Sequence, residues 1–142
     1  MKSLTRFLFA GFLIFISACN NSEKDNLSEN DIDAARNFIR ASLDGKFDEA
    51  RKYLLSDSAN NQFLDVHERN YKERMSLEDK SGYRMASINV HELRTVNDST
   101  SLVFYSNSYF KKDTHHLKVV KVDNLWLVDF KSYFEPVNDS LP

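Results

Sequence analysis

The hydrophobic period of this chain changes once, near Gly82, and that switch constrains the fold more than any other feature. Before it, apolar residues recur at helical spacing: Ile32, Ala35, Phe38, Ile39 and Leu43, then Ala50, Tyr53 and Leu54, then Phe63, Val66, Asn70, Tyr71 and Met75. Ser28 with Asp31 reads as the capping box of the first helix, Gly45 as its stop, Asp48 as the cap of a short second helix, and Ser56-Asp57-Ser58 as the start of a third that Ser81-Gly82 closes. After Gly82 come four segments rich in β-branched and aromatic residues: Met85 to Arg94, Thr100 to Phe110, Thr114 to Val122 and Leu125 to Tyr133. Asn97-Asp98-Ser99, Lys111-Lys112-Asp113 and Asp123-Asn124 separate them with turn chemistry.

Connections this short join only antiparallel neighbours, so the strands form a meander. Helices first and strands second predict an α+β fold: three N-terminal helices packed on the concave side of a curved four-stranded antiparallel sheet, a cone or roll. Strand two is apolar on both parities, with Leu102 and Phe104 on one face and Val103 and Tyr105 on the other. The expectation is that Leu102 and Phe104 meet the helices, together with Trp126, Val128 and Phe130 of the last strand. The outer face would then carry Val103, Tyr105 and Tyr109, an alternative surface for docking a protein.

The N-terminus has a different character. Lys2 and Arg6 precede an apolar run from Phe7 to Ile16, and Asn20-Asn21-Ser22-Glu23 follows soon after. A run of about 10 falls short of the roughly 20 apolar residues that a membrane span needs, so it reads as a secretory leader. The expected organisation is a leader at 1–18, an acylated cysteine and polar tether at 19–27, one domain at 28–135 and a tail at 136–142. Losing the leader would leave 124 of the 142 residues, enough for one domain. It would remove Lys2 and Arg6 from the 19 basic residues, giving 17 against 21 acidic ones and a net charge of −4. A mildly acidic chain argues against nucleic acid as a partner. Cys19 is the only cysteine, so neither a disulfide within the chain nor a cysteine metal cluster is available.

Two resemblances sharpen this reading. Ile16-Ser17-Ala18-Cys19 resembles the bacterial lipobox, in which small residues precede a cysteine that receives a diacylglyceryl thioether. It implies a palmitate-bearing lipoprotein of the bacterial cell envelope, held at a membrane through Cys19, with the outer membrane as the expected site. Glu23-Lys24-Asp25 resembles the acidic stretch that sends some such proteins to the cell surface, and a solvated linker explains it equally. Ala35-x-x-Phe38 with Ala41-x-x-x-Gly45-Lys46-Phe47-Asp48-Glu49-Ala50, and Val119-x-Lys121-Val122-Asp123-Asn124-Leu125-Trp126-Leu127-Val128-Asp129, resemble the first helix and last hairpin of the nuclear transport factor 2-like superfamily. The resemblance covers about residues 31–134 and is nearest to that superfamily's small uncharacterised lipoproteins. Such a fold hosts enzymes, binders and assembly modules.

Enzymes of that superfamily place an Asp or an Asp–His pair, often with a Tyr, inside the cone; His67, Tyr71, Tyr105 and Asp129 are the candidates here. Asp129 has the parity opposite to Trp126 and Val128, so it should point out and leave His67 without an acid partner. His115 and His116 are adjacent on a strand and point to opposite faces, which argues against a shared metal. The expected pocket is aromatic, lined by Phe38, Ile39, Phe63, His67, Tyr71, Phe104, Trp126 and Phe130. With no catalytic residues, metal or cofactor indicated, the reading is a noncatalytic domain that binds a small apolar ligand or an envelope protein. A small hydrolase or isomerase using the same cavity is the alternative.

Overall fold

The structure, a computed structural model, describes residues 27–137. The expected leader, Cys19, the tether up to Asn26 and the last five residues of the tail lie outside them. Four helices precede a four-stranded sheet: α1 (Asp31–Leu43), α2 (Phe47–Lys52), α3 (Ser58–Glu73), α4 (Leu77–Met85), β1 (Ile88–Asn97), β2 (Thr100–Asn107), β3 (His115–Val122) and β4 (Leu125–Asp129), followed by a 3₁₀ turn over Phe130–Phe134. The sheet order is β1-β2-β3-β4, every pair antiparallel, so the α+β meander expected from the period switch is present. No helix among the described residues is long and apolar enough to cross a membrane.

Local chemistry sets most boundaries. The cap of α1 is Asn30, whose side chain accepts from the Asp33 N–H, rather than the predicted Ser28. α1 ends as predicted at Gly45, with φ 73°: the Lys46 N–H reaches the Ala41 carbonyl and the Gly45 N–H the Ser42 carbonyl, the paired bonds of a Schellman motif. α2 begins at Phe47 behind Lys46 with no side-chain cap, so Asp48 lies inside the helix. Asp57 caps α3 by accepting from the Asn60 N–H. Asp123 and Asn124 both have positive φ, 49° and 64°, as a two-residue hairpin turn of the I′ type requires.

Gly82 is not a stop. Ser76 caps a fourth helix by accepting from the Asp79 N–H, and Gly82 sits within that helix. A Cβ at Gly82 would lie 2.3 Å from Cε2 of Tyr109, so glycine is there to admit that ring. The Arg40 guanidinium fastens the far end of α4, donating to the carbonyls of Ala86 (2.7 Å) and Tyr83 (3.0 Å).

Cross-strand partners share a face, and the register fixes which. Val103 pairs with Leu117, Val119 with Val128, and Tyr105 with His115. Val103, Leu117, Val119 and Val128 are fully buried and join the helix-packed core with Tyr105, Ala34, Ala35, Phe38 and Leu64. The helices therefore cover the Val103/Tyr105 parity of β2. Leu102 and Phe104 point the other way, where Arg94 lies over the Phe104 ring at 5.0 Å and His116 stands beside it. This reverses the expected parity of strand two and removes Val103 and Tyr105 from the proposed outer docking face. Tyr109 lies in the loop after β2, with its hydroxyl donating to Asp79 (3.0 Å).

The last strand is also shorter than predicted. The Ser132 hydroxyl donates to the Asp129 carbonyl (2.6 Å) and accepts from the Lys118 N–H (2.9 Å), which curls the chain into a 3₁₀ turn. Phe130 thus belongs to that turn, not to β4, although it still enters the core at 5% exposure.

Candidate functional site

Between the C-terminal half of α1, the length of α3, and the ends of β2 and β3 lies an open cavity of about 230 Å³. α1 contributes Phe38, Ile39, Ser42 and Leu43; α3 and the residues after it contribute Phe63, Val66, His67, Asn70, Tyr71 and Met75. Positions 63, 66, 67, 70 and 71 fall on one helical face, which is why the sequence period located them. Tyr83 of α4, Tyr105 and Asn107 of β2, His115 of β3, and Phe130, Tyr133 and Phe134 of the 3₁₀ turn complete the wall.

Six of the eight residues expected at the pocket stand on it: Phe38, Ile39, Phe63, His67, Tyr71 and Phe130. Phe104 does not, because its parity faces away from the helices. Trp126 does not either. It is on the helix-facing side but half-buried near the start of β4, with the Lys121 ammonium 5.6 Å from its ring. At about 3.3 Å per strand residue, that start is well removed from the end of β4 where the cavity opens. Trp126, expected to meet the helices, does pack against the core but only partly buried, because Val128, further along, is the residue of β4 that is fully covered. Tyr83, Tyr105, His115, Tyr133 and Phe134 were not assigned to the pocket from sequence. Reversing the β2 parity would have found Tyr105 and, through its partner, His115.

The rings meet mostly edge to face or tilted. His67 stands between Phe47 (5.6 Å, 74°) and Phe130 (5.7 Å, 63°), and Tyr71 packs on Phe47 at 5.5 Å. His115 lies against Tyr133 (5.0 Å) and Tyr105 (5.7 Å). At the mouth Phe63 stacks on Phe134 at 4.8 Å and 19°, and both are exposed, at 37% and 55%.

Burial pushes the His67 imidazole below its ordinary pKa. The His115 imidazole is also held low, by burial first and by His116 second, against the opposing charge of Asp113. Burial pushes the phenols of Tyr105, Tyr83 and Tyr133 up. Each shift favours the neutral form. Among the described residues no Asp, Glu, Lys or Arg lines the cavity. Two hydroxyls of the wall, those of Ser42 and Tyr71, are buried with no hydrogen-bond partner among the described residues.

Asp129, the acid considered for an Asp–His pair, is committed elsewhere. Its carboxylate accepts from Lys118 Nζ (2.7 Å), from Lys131 Nζ (3.4 Å) and from Asn60 Nδ2 (3.1 Å). Burial pushes its pKa up, and the hydrogen bonds from Lys118 and Asn60 with the charges of both lysines outweigh that and hold it low. Asn60 itself is fully buried, donating also to Asp57 and accepting the Lys131 N–H (2.8 Å). This polar cluster pins the start of α3 to the end of β4. Its central residue, Asn60, reads as an ordinary helix-surface residue in the sequence. His67 has no hydrogen-bonded carboxylate among the described residues, so the cavity holds an imidazole without the acid that would orient it. His91, from the β1 side of the sheet, is hydrogen-bonded to the Ser106 hydroxyl (2.7 Å) away from this wall. Among the described residues no three His, Cys, Asp or Glu side chains stand together as a metal site.

No protein-family model matches the chain, and no curated protein matches it by sequence. Solved structures do. One is an NTF2-like protein of unknown function from Shewanella oneidensis MR-1, 12% identical over 68% of this chain and 89% of its own, with a TM-score of 0.49. Another, from Campylobacter jejuni, is described as a candidate NTF2-like transpeptidase; it is 19% identical over 70% of this chain and 96% of its own, with a TM-score of 0.49. The chain itself is an α+β fold of four helices followed by a four-stranded antiparallel meander.

Proposed function

We propose that this protein is a lipid-anchored domain of the bacterial envelope that holds a small apolar ligand in its aromatic cavity without chemical turnover. One observation carries the binding half: an open cavity of about 230 Å³ whose wall is mostly aromatic and aliphatic, with Ser42, Asn70 and Asn107 as its amide and hydroxyl groups and, among the described residues, no carboxylate, ammonium or guanidinium. An apolar cavity of about 150 Å³ accommodates benzene, and drug-sized sites run from about 300 Å³ upward. By proportion the occupant has on the order of nine or ten non-hydrogen atoms. Absence of turnover follows from the same wall, since acid–base work wants an oriented acid and base at the reacting atoms. The sequence carries the anchoring half through Ile16-Ser17-Ala18-Cys19. Two or more acyl chains hold a protein firmly at a bilayer, at about 0.8 kcal/mol per buried methylene.

Both halves have a test. Ethylbenzene should raise the melting temperature in proportion to its occupancy, as any ligand of the native state does; an unchanged melting curve at saturation refutes the binding half. Cys19→Ser should abolish incorporation of labelled palmitate, because the chain has no other thiol to accept a lipid. Equal label in variant and wild type refutes the anchor.

A further inference from the structure

Resting on the reading of the cavity as a ligand site, we propose that it selects by charge: it takes an uncharged, ring-shaped aromatic molecule and admits weak acids and bases only in their neutral forms.

The geometry argues this from both signs. An anion in the cavity would need a cation or an array of aimed donors, and no Lys or Arg among the described residues reaches the wall. The Lys80 ammonium, behind Tyr71, is already committed on the outside of the wall. It donates to the Lys72 carbonyl (3.1 Å) and lies over the Tyr71 ring at 5.5 Å. A cation would need a carboxylate in the wall; Asp79 is held by Ser76 and Tyr109, and Asp113, whose charge acts on His115, Tyr83 and Tyr133, lies outside the lining. Aromatic faces alone can hold a cation when they cage it, but here His67 and His115 occupy that role as rings, and they give the opposite signal. Both imidazoles are driven toward neutrality, mainly by burial, so the wall already disfavours positive charge on its own side chains. Tyr105 and Tyr133 give the same answer for negative charge, since burial resists their ionisation. The same cavity thus penalises both signs, and an entering ion would meet the penalty that these side chains meet.

Shape narrows the class further. The space lies between rings that are tilted or edge-on to one another, such as His67 on Phe130 and His115 on Tyr105. A flat ring can add one more edge-to-face contact to such a wall, which is the favoured geometry of aromatic pairs. One neutral polar substituent is tolerable, because Asn70, Asn107 and Ser42 supply amide and hydroxyl groups along the lining.

Three probes of nearly equal size separate the possibilities: benzyl alcohol, benzoate and benzylammonium, titrated at pH 8 into the soluble domain carrying residues 27–142 and followed by shifts of aromatic NMR signals. A parallel titration into the full chain in detergent guards against failure of the shortened protein to fold. Benzyl alcohol should bind at least tenfold more tightly than either ion. Either ion binding within tenfold of the alcohol overturns the charge rule while leaving the pocket reading in place. Binding of none of the three overturns the pocket reading and the charge rule together. Val66→Trp, at an exposed position on the rim, should weaken the alcohol at least tenfold by filling the mouth. Unchanged affinity in that variant places the alcohol elsewhere and overturns the assignment to this cavity.

Discussion

The two halves of α1 meet the sheet differently. In the first half Ala34 and Ala35 are fully buried against Val119 and Val128, with the Ser101 hydroxyl bonded to Asp31 at the helix start. Small side chains let a helix lie close to its neighbour, and β-branched residues interlock beneath it without a gap. In the second half the helix presents Phe38, Ile39 and Ser42, facing the rings of Tyr71, Tyr105 and Phe130. Planar groups meeting edge-on hold elements apart and leave space between them. One helix therefore closes the cone at one end and props it open at the other. Polar chemistry divides differently, between the outside of the wall and its inside: where β4 ends Asn60 and Asp129 are hydrogen-bonded, and in the cavity wall two hydroxyls have no partner among the described residues.

The contrast breaks first on packing energies. Leu117 is fully buried in the core that the helices cover, and Leu117→Ala should cost about 2–5 kcal/mol through lost burial and a cavity that the neighbours cannot refill. Phe134→Ala at the mouth removes a larger side chain from a residue that is 55% exposed, and should cost about 1 kcal/mol or less. Urea midpoints measure both. Equal losses would mean that the open end is as tightly built as the closed one.

An intermediate effect comes from acid. His67 and His115 both stand on the open end with folded pKa values below their ordinary 6.5. The unfolded chain therefore takes up protons first as pH falls. The stability tied to the neutral rings is fully present above about pH 6.5 and is lost as pH drops through the folded values. The urea midpoint should fall between pH 7.5 and 5.5, before most carboxylates titrate. His67→Gln should flatten that fall and leave the pH 7.5 midpoint lower only by lost ring packing. A slope unchanged in His67→Gln and in His115→Gln would show that acid sensitivity resides in the Asp129 cluster instead.

The sequence made the order of elements and the local caps and turns legible, and the cavity wall only in part. Gly45, Asp57 and Asp123-Asn124 carry local chemistry that decides a cap or a turn without help from the rest of the chain. The face of α3 was readable because one helical period runs through Phe63, His67 and Tyr71. The β2 parity was not, since Leu102-Val103-Phe104-Tyr105 is apolar at every position and only pairing with Leu117 and His115 selects a side. Gly82 misled because its role is spatial: it clears room for Tyr109, from a loop 27 residues later in the chain. The end of β4 misled because the Ser132 hydroxyl, a long-range partner of the Lys118 N–H, ends it.

The smallest effect is the most discriminating. In the Asp129 cluster the buried Asn60 side chain is held by its hydrogen bonds; in the cavity wall Tyr71 is held by its ring. A Cβ at Gly45 would come within 2.5 Å of Tyr71 Cε1, so the ring rests on that glycine, and its other face has the edge contact with Phe47. The hydroxyl adds no partner among the described residues, and neither does that of Ser42 one turn earlier on α1. Removing a typical buried hydrogen bond costs about 0.5–1.5 kcal/mol, whereas removing a hydroxyl that makes none leaves packing intact and lifts a desolvation penalty. Tyr71→Phe and Ser42→Ala should therefore each change stability by less than about 0.5 kcal/mol, with Ser42→Ala tending upward because alanine also favours the helix. Asn60→Ala supplies the contrast, with a loss of about 1–3 kcal/mol from the unpaired groups it leaves behind. If Tyr71→Phe instead lowers the urea midpoint as much as Asn60→Ala does, its hydroxyl is a structural hydrogen bonder, and the contrast between a satisfied polar cluster and an unsatisfied cavity wall falls.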